Sequence, residues 1–350
     1  MRRAQDQSGG TGSNNFQAGR DIVLNVGVTA TEAREIALDV FRANFLTMTG
    51  LAEETVRERV ERITNEFLER LEKRNPTGLD SVSDPDMLLA IYNAQKGYAC
   101  SGEEDLESAL VDLLVERSGQ TGRGLKTLVL NQALECLPKL TIGQRKAIAI
   151  GFLVRYTRHV GPMSLPLMYQ HVSQNFGPFA DISSNSIADY RYVHSTGAGT
   201  VSQFTVDLAG VFWEQYGGVF TKGFRLYHIP EQAREYADDR SVIIPCLRNP
   251  QLLQINSLSH QAVRDLQASK GIHPAPGHAG PFETACLYGR MSNDEIEQDL
   301  VSHIPFMGQL FEHWNNSGLA NFDLTGIGIA IGHAYWRRVT GATTPLDTWL

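Results

Sequence analysis

Between Leu51 and Arg74, apolar side chains fall at Val56, Val60, Ile63, Phe67 and Leu71, at steps of 4, 3, 4 and 4. That is the period of one α-helical face, and no strand presents such a set on a single side. The positions between carry seven acids (Glu53, Glu54, Glu58, Glu61, Glu66, Glu69, Glu72) and six bases (Arg57, Arg59, Arg62, Arg70, Lys73, Arg74). A narrow apolar seam with charged flanks fits a short coiled coil or the edge of a helical bundle. Two heptads are too few for a coiled coil that stands alone, so the seam needs partners elsewhere in the chain.

Those partners are visible as further helices. Thr29 and Glu32 form a capping-box pattern ahead of Ile36, Val40, Phe41 and Phe45, and Gly50 ends that run. Asn75-Pro76-Thr77-Gly78 reads as a linker, and Pro85 behind Asp84 as a helix start. Ser101 and Glu104 read as a second capping box, opening a helix with Leu106, Leu110, Leu113 and Leu114 that closes at Gly119. A helix near 123–137 ends before Pro138, and Thr141 with Gln144 opens another to about 158. Beyond Gly161 glycines punctuate short apolar runs. VIIPCL (242–247) and LLQI (252–255) fit strands or one buried helix edge, and 271–281 is a loop by its prolines and glycines. Ser292 with Glu295 caps one more helix, and Leu324 to Arg338 is regular, with Gly328, Gly332 and Ala334 on one side. The expected fold is mainly α: a multi-helix body with a short β-forming N-terminal arm. Its expected parts are the arm (1–28), a helical hairpin or short coiled coil (29–75), an antiparallel helical unit (79–158), an irregular Gly-rich helical region (159–290) and a C-terminal helical segment (291–350).

At 350 residues and 42% apolar, the chain can bury a sizeable core, which excludes global disorder. A net charge of −8 is a poor match for nucleic acid or anionic membrane. No apolar run reaches the roughly 18 residues of a bilayer span. The opening MRRAQDQSGG has no apolar stretch behind its arginines, so it is not expected to be a secretory signal. Cys100, Cys136, Cys246 and Cys286 match neither a zinc pattern nor a disulfide framework; reduced thiols in a cytoplasmic protein are expected.

No phosphate-binding loop, His-Glu-x2-His, Cys-x2-Cys or nucleophile-elbow motif is present, and no cofactor is expected. The metal candidate is His273, His278 and Glu283, two imidazoles and a carboxylate around one loop; a solvated loop is the competing reading. Ser195 to Thr200 could offer backbone N–H groups to a phosphate, against a plain turn. His228 and His333 lie among aromatic residues, where a hydrogen-bonded histidine is the ordinary reading. The first residues differ in kind. QDQSGGTGSNN (5–15) is polar and Gly-rich, and Ile22, Leu24 and Val26 then alternate with Val23 and Asn25. Amide side chains ladder well when identical strands stack, and glycines let backbones approach. Asn15, Gln17, Gly19, Arg20, Asp21, Ile22, Leu24 and Val26 are therefore the candidate oligomerisation residues. An ordinary edge strand on the chain's own body is the alternative.

The run from Asn15 through Gln17-Ala18-Gly19-Arg20-Asp21 to Ile22 resembles a short motif placed ahead of many bacterial conflict and immunity proteins, and also amyloid-type signalling segments. LVDLLVERSG (110–119), LVLNQALECLPKLT (128–141), FLVRYT (152–157), YGGVFTKGF (216–224) and the stretch 323–350, with Leu346-x-x-Trp349-Leu350, together resemble one uncharacterised bacterial family. The resemblance implies a bacterial, cytosolic, mostly helical protein with no established reaction, and it carries over no catalytic residue. It suggests a homo-oligomeric sensor or signalling scaffold in antiphage defence or stress response, assembled through its arm and triggered by a phage or host protein. The alternative is a metal-dependent hydrolase acting on nucleic acid or nucleotide, with its site in 160–300. A membrane-acting effector using Leu324 to Trp336 is the third reading, and that segment is too short to span.

Overall fold

The computed structural model describes residues 27–44, 51–158, 164–182 and 186–350, and within them the protein is mainly α-helical. Asn15, Gln17, Gly19, Arg20, Asp21, Ile22, Leu24 and Val26 lie outside the described residues. The body starts where the sequence places its first cap. Thr29 donates from its backbone N–H and its hydroxyl to Glu32 Oε2 at 2.9 and 2.8 Å, and the Glu32 N–H returns a bond to Thr29 Oγ1 at 3.2 Å. Helix α1 (Ala30–Asn44) follows, then α2 (Leu51–Arg74).

The α2 seam finds its partners in α1, α3 (Pro85–Ser101) and α4 (Glu104–Ser118). Ile63, Phe67 and Leu71 are buried there, so the seam is a bundle face. Burying each such side chain contributes roughly 1.5–3 kcal/mol. The charged flanks reach across to α4: Arg62 pairs with Glu104 and Glu107, and Arg70 and Arg74 both reach Asp112.

Two local expectations need correction. Asn75 to Gly78 is no open linker, because Pro76–Ser83 winds into a 3₁₀ turn that buries Gly78 and Val82. Ser101 does not cap α4. It is the last residue of α3, and Gly102 takes a left-handed conformation (φ 67°) with its N–H on Tyr98 O at 2.8 Å. A Cβ at Gly102 would also strike the Arg59 guanidinium. The chain therefore stops one helix and starts the next within two residues, a step that favours glycine.

Helix α5 (Leu125–Cys136) and helix α6 (Ile142–Tyr156) complete this half, the latter opened by the expected Thr141–Gln144 capping box. Next come α7 (Leu165–Phe176), α8 (Ile187–Ser195), strand β1 (Gly199–Val201), α9 (Leu208–Tyr216) and the single turn α10 (Glu231–Arg234). The runs at 242–247 and 252–255 resolve as strands: β2 (Ile243–Pro245) pairs antiparallel with β3 (Leu253–Ile255), Ile244 opposite Gln254. Helices α11 (His260–Ser269), α12 (Pro281–Tyr288), α13 (Asn293–His303) and α14 (Met307–Ser317) lead to β4 (Phe322–Leu324), which pairs antiparallel with β1. The last helix is α15 (Gly326–Thr340).

Helix α15 closes the chain but lies at the centre, packed on α4, α5 and α6. One cluster of buried apolar side chains runs from Ala33 to Leu346, and a smaller one gathers Phe224, Val242, Ile243, Ile255, Val263 and Phe282. The small-residue side of α15 is a packing face: Gly332 abuts Phe152, and Gly328 abuts the Ala198 carbonyl. Among the described residues no helix is long and apolar enough to cross a membrane.

A polar clamp ties α15 to the bundle. Asp105 accepts from Tyr335 Oη at 2.5 Å and from Arg338, whose Nη2 lies 2.5 Å away. The Arg145 side chain, on α6 and 1% exposed, reaches Glu103 and lies 3.4 Å from Asp105. Burial raises the Asp105 pKa, but the Tyr335 hydroxyl and the two guanidiniums outweigh it and hold the carboxyl below its ordinary range.

Candidate functional site

The two cores meet along the segment 216–224, and its glycines explain how. Gly218 donates to Leu258 O at 2.9 Å, and a Cβ there would sit 2.0 Å from the Ser257 carbonyl oxygen. Tyr216, Val219 and Phe220 enter the large core and Phe224 the small one. The segment is thus a threaded seam between two apolar clusters. Beside it opens a narrow cleft with room for little more than a water molecule. Trp213, Phe224, Ile255 and Val263 give it apolar walls, and His260 and Cys286 line it with polar atoms.

His260 is the first residue of α11, behind Ser259, whose hydroxyl accepts the Ala262 N–H. Its Nδ1 lies 3.1 Å from Glu214 on α9 and its Nε2 lies 3.2 Å from Glu283 on α12. The imidazole therefore bridges two carboxylates and ties three helices. Glu283 is 7% exposed and already committed: Oε2 accepts from the Gly280 N–H at 2.9 Å and from Gln267 Nε2 at 3.1 Å. Gln267 completes the α12 start, its Oε1 accepting from the N–H groups of Phe282 (2.8 Å) and Glu283 (3.3 Å). Removing this amide leaves two buried donors unpaired, each costing about 1–3 kcal/mol. Gln267→Ala is expected to lower the denaturation midpoint and speed hydrogen exchange across 281–288. Unchanged exchange there would mean that the cap is dispensable.

Of the metal candidates, Glu283 is buried in this cap while His273 and His278 are exposed on the loop before it. Among the described residues no group of three His, Cys, Asp or Glu side chains is placed to hold a metal ion. The Cys286 thiol is pushed up to about 12 by burial, with the Glu283 charge adding to the shift. It stays protonated at neutral pH and is a poor nucleophile. The Ser195–Thr200 stretch serves packing: the Gly197 carbonyl accepts the Thr325 hydroxyl at 2.6 Å, and Gly199 opens β1. His228 is exposed beside Tyr227. His333 is buried, with Nε2 2.9 Å from Thr344 O, as the ordinary reading expects.

Sequence reasoning missed His260, Glu214 and Gln267. Nothing local marks the first two, which come from separate helices. Pro281 followed by an acid two positions on is a helix-start signature, and it points to Glu283 as a cap.

A model of an uncharacterised protein family matches residues 27–350. The chain belongs to that family. The family span takes in both cores, the seam and the cleft, and it begins beside Val28, whose N–H is fixed by Asp80 Oδ1 at 2.9 Å. No curated protein and no solved structure matches the chain.

Proposed function

We propose that this chain is a homo-oligomeric sensor or signalling scaffold of bacterial antiphage defence or stress response, a cytoplasmic protein assembled through its N-terminal arm (1–28) and triggered by a phage or host protein. The observation that carries the reading is where the family match begins. It starts at residue 27, at the foot of a body with its own caps and core, and leaves the amide- and glycine-rich segment ahead outside the match. Such a segment has backbone groups to pair and amides that ladder with copies of themselves. The hydrolase alternative places one ion on His273, His278 and Glu283, and the inward commitment of Glu283 weighs against it.

Light scattering on the full chain and on a chain lacking residues 1–26 tests the proposal. The full chain is expected as a larger assembly than the shortened one, which stays folded. Monomers in both samples, or the same oligomer in both, end the assembly reading.

A further inference from the structure

After α15 the chain turns back at Gly341 (φ 68°) and lays residues 342–350 over the face made by α5, α6 and α15. The segment holds its own shape. Leu346–Thr348 forms a 3₁₀ turn in which the N–H groups of Thr348 and Trp349 return to Pro345 O and Leu346 O. Its grip on the body comes chiefly through side chains. Leu346 is 1% exposed. The Trp349 indole meets Phe152 edge-on at 5.1 Å and donates from Nε1 to Tyr156 O at 2.7 Å. His333 and Trp336 complete the aromatic box. Asp347 pairs with Lys126 at 2.7 Å, and Leu350 approaches Val129 beside Gly326.

A locally turned peptide, anchored by an aliphatic, an acid and an indole against a helical face, is how a short linear motif is recognised. The joining residues 341–345 pass largely over the surface. We propose that this groove is a peptide-recognition site and that its partner is segment 342–350 of a second copy, exchanged with the segment bound here in cis. The groove asks for a leucine, an acid one position on, and an indole two positions after that. This chain carries that set itself at Leu346, Asp347 and Trp349. Exchange forms the same contacts that it breaks, so it costs little beyond linker strain and the loss of the tether's effective concentration. The inference does not depend on residues 1–26.

The first test adds a labelled synthetic peptide of residues 342–350 to a chain lacking those residues and to full-length Trp349→Ala, which keeps the whole chain should the shorter one fail to fold. Saturable binding to a folded variant is expected, weakened at least about tenfold when the peptide carries alanine for Trp349. No binding up to about 1 mM, the order of a short tether's effective concentration, overturns the site. The second test immobilises the chain lacking 342–350 and offers two full-length partners. Lys126→Glu/Trp336→Ala removes the segment's ion pair and one wall of its aromatic box, loosening an intact segment. Lys126→Glu/Trp336→Ala/Trp349→Ala loosens a segment without its anchor. Capture of the first well above the second is expected. Equal capture is the signature of association through residues 1–26 instead, and it overturns exchange, as does no capture of either.

Discussion

Asp105→Ala is expected to destabilise the protein by about 1–3 kcal/mol at neutral pH, the range for stranding buried polar partners, because the Asp105 side chain itself is 26% exposed. The size follows from what stays behind. The Arg145 side chain is 1% exposed and keeps only Glu103 as an acid partner, the Tyr335 hydroxyl loses its acceptor, and Arg338 keeps only the Asp105 backbone carbonyl. These groups sit between α4, α6 and α15, where the buried Arg145 and Tyr335 ends are out of reach of water while the Asp105 and Arg338 side chains stay partly exposed. The effect has a sign in pH. The folded carboxyl titrates below its ordinary value, so its contribution is complete above the unfolded pKa of about 3.9 and is lost as pH falls through the folded value. Denaturant titrations of wild type and Asp105→Ala should therefore differ most near pH 7 and converge in strong acid. A gap that persists undiminished in acid would assign the loss to packing rather than to charge.

The parts of this fold that sequence reveals are those whose cause is local. The caps at Thr29, Thr141 and Ser292 are reciprocal hydrogen bonds within four residues, and each opens a helix where the pattern places it. The α2 seam is readable because one face of one helix meets several neighbours. Ser101 shows the limit. Its spacing to Glu104 is right for a cap, but Gly102 lets α3 run through Ser101 and reverse abruptly, and that choice rests on the distant Arg59, which fills the space over the glycine. The runs at 242–247 and 252–255 stay ambiguous in sequence because strands of three residues carry no period, and the β1–β4 pair, joined across more than a hundred positions, is not visible there at all.

The site was less legible still. Glu283 drew attention through its nearness in sequence to His273 and His278, yet its partners in space are His260, Gln267 and Gly280. Two of these arrive on α11 and one from the turn before α12, a meeting set by packing of the small core. The terminal Leu346 and Trp349 stood out as a motif, but only the groove gives them a purpose, because the aromatic box is drawn from α6 and α15.

Gly328→Ala and Gly308→Ala are expected to move stability in opposite directions, although both place alanine in the first turn of a helix and helix propensity favours each by up to about 1 kcal/mol. At Gly308 in α14 the new methyl would lie 3.7 Å from Val301 Cγ1, an ordinary contact, so the propensity gain is kept and the midpoint rises slightly. At Gly328 in α15 it would fall 2.0 Å from the Ala198 carbonyl oxygen and 3.1 Å from Leu324 Cδ2. The carbonyl cannot retreat freely, because Ala198 O accepts the Thr325 N–H and the residues after it form the β1–β4 pair. The same face is engaged again one turn on, where Gly332 packs on Phe152, and α4 and α5 pack against the helix as well. Overpacking of this kind costs typically about 1–3 kcal/mol, and more where the opposing atom is backbone. Gly328→Ala is therefore expected to lose more than the propensity term returns and to loosen the Thr325 cap, visible as faster hydrogen exchange at the start of α15. If both variants gained stability, α15 would have to be free to slide away from β1, and the central place assigned to it would be wrong.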